Sequence, residues 1–188
     1  MDSITGLQRA VDGANAVIRG VREDDLTKPT PCTDWDVRAL VNHMAGVCIG
    51  FTAALDGTKV EPPPRQPVDV LGSDPGGSYA SISRWLLDAW QTPGALERTL
   101  AMPIGDLPGA VGINIVLADQ LLHTWDLAKA LGRPYTMDAD LAETTLQMMQ
   151  QMMRPEFRGP GQGFAEAVPC AEDAPVQERL VAFAGRKP

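Results

Sequence analysis

The chain has only two histidines, and one of them has an acidic residue at a chemically useful distance. Asp119 and His123 lie four apart in GINIVLADQLLHTWDLAKALG, residues 112–132. Ile115, Val116, Leu122 and Leu127 recur there at helical intervals, and Gly132 with Pro134 supplies a stop signal. Residues four apart on a helix project from one face, and this face also carries Val116 and Leu127. The carboxylate and the imidazole therefore border the stripe that is expected to be buried. Burying either is costly unless it is hydrogen-bonded, ion-paired or bound to a metal.

The other histidine offers a partner. His43 falls between Leu40 and Val47 in a second helical stretch ending near Leu55, with Thr33 and Asp34 as alternative N-caps. The buried side of that stretch is Val37, Leu40, Val41, Met44, Val47, Cys48, Phe51 and Leu55, while Gly46 and Gly50 would admit a close neighbour. If the two helices are adjacent, His43 meets Asp119 and His123. Two imidazoles and one carboxylate are a ligand set for catalytic zinc, with a fourth position open for water or substrate. Nickel, iron and manganese suit the same set. The competing reading is structural: an Asp–His hydrogen-bonded pair and a satisfied core histidine. Cys32 lies just before the second helix, where the helix dipole would lower its pKa. It has no base at a fixed spacing and reads as structural.

Other elements must hold these residues in place. Ile4, Leu7, Val11, Ala14, Ile18 and Val21 form one apolar seam on a first helix of about five turns, capped by Asp2 or Ser3. Residues 22–33, REDDLTKPTPCT, read as a connection. Residues 59–77 hold five prolines and form a long irregular loop at one end of the assembly. A third helix spans 78–90, with Ile82, Trp85, Leu86 and Ala89 facing in. A short extended piece around residues 99–102 precedes the central helix. A fifth helix covers 137–153 with Asp138 as cap, its methionines filling core gaps. After a Pro- and Gly-rich stretch, a short helix over 176–184 ends at Gly185. Four amphipathic helices without strand alternation imply an all-α fold, a four-helix bundle with additional C-terminal helices.

Length and composition bound what the chain can do. Its 188 residues, 44% hydrophobic, suit a single domain over 1–188 with a substantial core. Sixteen basic against 24 acidic residues give a net charge of -8. The basic residues are scattered, so nucleic acid and anionic membrane are not expected partners. Cys32, Cys48 and Cys170 form no CxxC pair, which argues against a disulfide scaffold or a zinc knuckle. The start of the chain has no leader pattern, and no stretch reads as long enough to span a membrane. The expectation is a reducing, cytoplasmic setting.

The run Pro29-Thr-Pro-Cys-Thr-Asp-Trp35-Asp-Val-Arg38-Ala-Leu-Val-Asn-His43-Met-Ala-Gly46 resembles the signature of the DinB/YfiT-like metalloenzyme superfamily. Within it, the similarity is to the branch of the metal-binding domain of mycothiol-dependent maleylpyruvate isomerase. Asp119-Gln-Leu-Leu-His123-Thr-Trp-Asp126-Leu-Ala-Lys129 is similar to that branch's second motif, and the C-terminal run from Glu172 matches smaller relatives. The resemblance implies a DinB-like four-helix bundle binding a divalent metal, usually zinc, through His43, Asp119 and His123. The isomerase carries Glu at the position of Asp119 and the wider superfamily often has His; the shorter Asp would ligate after a small helix shift or through water.

The resemblance also implies a low-molecular-weight thiol such as mycothiol, made nucleophilic at the metal and used on a small electrophilic substrate. That is the chemistry of a thiol S-transferase or isomerase. The isomerase's separate C-terminal domain has no counterpart in these residues, so a different substrate is expected. Asp126, three residues from His123, would orient it as an acceptor, or else serve as a cap or pair with Lys129. Arg38 would hold a substrate carboxylate or form a structural ion pair. Trp35 and Trp125 read as core anchors. A non-catalytic metal- or ligand-binding protein is the alternative class, and helical faces of this kind pair into homodimers.

Overall fold

The computed structural model describes residues 1–62, 68–159 and 164–188. The irregular readings of residues 63–67 and 160–163 lie outside the described residues. The chain divides into two compact units, Met1–Pro134 and Tyr135–Pro188.

The first unit holds helices α1 (Ser3–Ile18), α2 (Val37–Leu55) and α3 (Pro75–Trp90), strands β1 (Thr99–Met102) and β2 (Gly105–Pro108), and helix α4 (Gly109–Ala130). α4 packs on α1 and α2, and α3 packs on the same two helices. The strands form an antiparallel hairpin, with Thr99 opposite Pro108 and Leu100 opposite Leu107. The extended piece expected around residues 99–102 is therefore a real strand, and the described chain is mostly helical rather than wholly so.

Local chemistry explains the helix starts. Asp2 accepts a hydrogen bond from the Thr5 amide at 2.9 Å, which caps α1 as expected. α2 begins later than read: its cap is Asp36, accepting from the Ala39 amide at 2.8 Å. Thr33 and Asp34 are instead spent in the turn that precedes it. α3 starts earlier, with Asp74 as cap and Pro75 in the first turn, where proline's missing amide costs nothing.

Two packing expectations are corrected. Trp85 is 61% exposed, because the buried stripe of α3 runs through Tyr79, Ile82, Ser83, Leu86 and Trp90 and leaves position 85 on the outer face. The close approach expected at Gly46 and Gly50 occurs on α4. A Cβ on Gly112 would come within 2.6 Å of Leu100 Cδ1 and 3.1 Å of Phe51 Cε1, whereas none of these atoms crowds Gly46. α2 is also long and apolar enough, by length and composition, to cross a membrane, which corrects the reading that no stretch reaches that length. It buries residues toward both α3 and α4, and a helix covered on two sides needs more apolar residues than a half-exposed one.

The second unit pairs α5 (Ala139–Met152) with α6 (Val176–Phe183). Asp138 caps α5 as expected, accepting from the amides of Asp140 and Leu141. Gln177 accepts from the Met137 amide at 2.6 Å, and Arg179 pairs with Glu143 at 3.0 Å. Gly185 follows α6 with φ 87°, a left-handed residue ending a helix as its position implied.

Candidate metal centre

The structure brings His43 on α2 to Asp119 and His123 on α4. His43 Nε2 lies 2.9 Å from Asp119 Oδ1, and His123 Nε2 lies 3.5 Å from the same oxygen. The imidazoles meet edge to face, with ring centroids 5.0 Å apart. One donor atom from each of the three residues lies within 4.8 Å of the others. Side-chain exposures of 32% for His43, 16% for Asp119 and 12% for His123 leave the cluster within reach of a molecule arriving from solvent.

Two of the three ligand candidates are held by a neighbour outside the cluster. His123 Nδ1 lies 2.9 Å from Asp126 Oδ2; a carboxylate can only accept, so the ring proton sits on Nδ1. In the neutral ring the Nε2 lone pair then faces Asp119 and His43. Asp126 is the acceptor on that edge of the ring, and its side chain is fully buried. On the other side, Gln120 Nε2 donates to Asp119 Oδ2 at 3.1 Å and to the Met44 carbonyl at 3.2 Å. Gln120 Oε1 accepts from the Tyr79 hydroxyl at 2.5 Å. With Oδ2 taken, Oδ1 is the oxygen turned to the histidines.

Electrostatics follow from this packing. Burial by itself would lower the His43 pKa, but the Asp119 charge and their hydrogen bond outweigh it and the net shift is upward. Burial, then the Asp119 carboxylate, pushes the Cys48 thiol up. Tyr79 is raised well above its ordinary value by burial first, with Cys48 and Asp119 adding to it. Both groups stay protonated, and Tyr79 keeps the proton it donates to Gln120.

The turn before α2 supplies two residues whose place the sequence did not reveal. Thr30 Oγ1 donates to the Trp35 carbonyl at 2.8 Å, and the Trp35 amide donates to the Cys32 carbonyl at 2.8 Å. This turn sets Trp35 against both imidazoles, with centroids 4.4 Å from His43 and 5.6 Å from His123. Trp35 is half-buried and forms an aromatic wall of the site; Trp125 is the buried core anchor. Cys32 Sγ comes 3.3 Å from Asp126 Oδ2. No periodic spacing links residues 32 and 35 to positions 123 and 126, so only their neighbourhood in the folded chain reveals them. Gln120 did leave a trace, as an uncharged polar residue inside an apolar helix.

Arg38 is not brought to the cluster. Five helical residues place it roughly 140° around the axis from His43. Its guanidinium engages the Asp69 carboxylate and donates to the Gly72 carbonyl. It lines a separate cavity of about 670 Å³ with Arg19, Arg22 and the start of α3.

The donor set fits a divalent ion. Tetrahedral zinc with bonds near 2.0–2.1 Å places nitrogen and oxygen ligands roughly 3.3 Å apart, and the two Asp119 edges of 2.9 and 3.5 Å straddle that value.

Comparison with known proteins shows the family. Residues 7–128 match the family model of the mycothiol maleylpyruvate isomerase N-terminal domain, a span that includes every residue of the cluster. The chain is 35% identical over 188 residues to an uncharacterized protein of Mycobacterium tuberculosis strain CDC 1551 / Oshkosh, covering 99% of this chain and 98% of the relative. A second uncharacterized protein, from strain ATCC 25618 / H37Rv, matches with the same identity and coverage. No solved structure matches.

Proposed function

Because the chain belongs to the family of the mycothiol maleylpyruvate isomerase N-terminal domain, we propose that it binds a divalent metal through His43, Asp119 and His123 and uses it in thiol chemistry. The reading is a metal-dependent S-transferase or isomerase taking a mycothiol-type thiol and a small electrophilic substrate, on a DinB-like four-helix bundle in the cytoplasm. Zinc is the metal proposed. The observation that carries this is the convergence of two Nε2 atoms and one carboxylate oxygen on a partly open point.

When bound, an ion with an open position supplies Lewis acidity that makes a coordinated thiol acidic and nucleophilic near neutral pH. The protein's own residues do the rest. Asp126 fixes the His123 ring so that Nε2 points inward. Gln120, steadied by Tyr79, turns Asp119 so that Oδ1 faces the histidines. Trp35 packs against both imidazoles and restricts how their rings can turn.

Metal analysis of the chelator-stripped and zinc-reloaded chain tests the site. One equivalent lost on His43→Ala is expected, and no uptake by the unaltered protein would sink the reading. Thermal shifts and turnover with mycothiol and a panel of electrophiles test the chemistry. Metal uptake with neither thiol-dependent stabilisation nor turnover would leave a non-catalytic metal-binding protein.

A further inference from the structure

The Nδ1 edge of His123 faces a second triangle of donor atoms. Cys32 Sγ lies 3.8 Å from His123 Nδ1 and 3.3 Å from Asp126 Oδ2, and Nδ1 lies 2.9 Å from Oδ2. A tetrahedral zinc with a Zn–S bond of about 2.3 Å and Zn–N and Zn–O bonds of about 2.0–2.1 Å sets its ligand atoms roughly 3.3–3.6 Å apart. Each observed edge is within about 0.4 Å of that spacing. Two protons hold the triangle together, because the Nδ1–H and the thiol both donate to Asp126 Oδ2. A cation at the centre would replace both.

The donor types narrow the cation. Magnesium and calcium take oxygen ligands, whereas thiolate with imidazole and carboxylate suits zinc or cobalt. The Asp126 side chain is fully buried, so an ion here would meet little competing water. Cys32 remains partly exposed, which leaves an entry path past the turn before α2.

We propose that Cys32, His123 through Nδ1, and Asp126 form a second binding site for a thiophilic divalent cation. It adjoins the His43–Asp119–His123 cluster and shares the His123 ring with it. With both sites filled, that ring is an imidazolate bridge. Filling the second site sends the Cys32 thiol proton and the His123 Nδ1 proton to solvent. The site shares His123 and its orienting partner Asp126 with the function proposed above, and its Cys32 ligand belongs to it alone.

Titration of the chelator-stripped full chain with cobalt(II), followed by absorbance, tests this. Two equivalents are expected, one accompanied by a near-ultraviolet sulfur-to-cobalt charge-transfer band. Cys32→Ala should lose that band and one equivalent, whereas His43→Ala should lose one equivalent and keep the band. A band that survives Cys32→Ala overturns the second site, as does uptake of a single equivalent without any band. A failure of the first site looks different: one equivalent, with a band that His43→Ala leaves unchanged, supports the second site and removes the first.

Discussion

The two edges of the His123 ring are built in different ways. The Nε2 edge looks onto His43 and Asp119, whose side chains are 32% and 16% exposed and come from separate helices. The Nδ1 edge looks onto Asp126, which is fully buried and only three residues away, with Cys32 behind it. An open edge can admit a substrate; a closed edge can fix an orientation. The same imidazole thus joins the more open side of the cluster to the buried side, and disturbing one edge should be felt at the other.

The largest test removes the joint itself. His123→Ala should weaken zinc binding by more than about 100-fold, beyond the 10- to 100-fold range typical of residues that only orient a ligand. Competition with a chromogenic chelator measures it, and retained affinity would mean that the two edges are not coupled through this ring. Next comes Asp126→Asn, which touches only the closed edge yet should lower affinity at His43 and Asp119 by about 10- to 100-fold. An unchanged affinity in the same competition assay would reduce Asp126 to a packing residue.

Smaller effects come from farther out. Tyr79→Phe leaves the Gln120 carbonyl oxygen without its buried donor and should cost about 1–2 kcal/mol in urea denaturation. Zinc affinity should change less than for Asp126→Asn; a reversed order would place the Tyr79–Gln120 chain above Asp126 in holding the site. The mildest effect is on pH. The raised His43 pKa means that the folded metal-free chain holds this proton more tightly than the unfolded one. That stability is fully present below the unfolded value of about 6.5 and is lost as pH rises through the higher folded value. Denaturation of metal-free protein across this window should show the decline, and His43→Gln should flatten it. An identical decline in the variant would assign it to another group.

Helix content was easy to read because it rests on local rules. Asp2 and Asp138 cap the helices that their positions implied, and the apolar seam of α1 is buried at Leu7, Val11, Ala14 and Ile18. Trp85 misled, since a three-four pattern fits more than one stripe and a large aromatic side chain looks buried by type. α4 was read as amphipathic but buries residues on nearly all sides, Gln120, Thr124 and Asp126 among them, because α1, α2 and the hairpin all lie against it.

Sequence alone nominated His43, Asp119 and His123 as a candidate set. A helix puts Asp119 and His123 on one face, and the cost of burying both demands partners, which the fold supplies as His43, Gln120 and Asp126. Tertiary structure alone decided which atoms meet: that Nε2 rather than Nδ1 faces Asp119, that Arg38 turns to another cavity, and that Cys32 and Trp35 stand beside the imidazoles. Spacing along a helix fixes direction within about one turn. Between residues as far apart in the chain as Cys32 and His123, only the packing of the folded helices and the turn before α2 sets the distance.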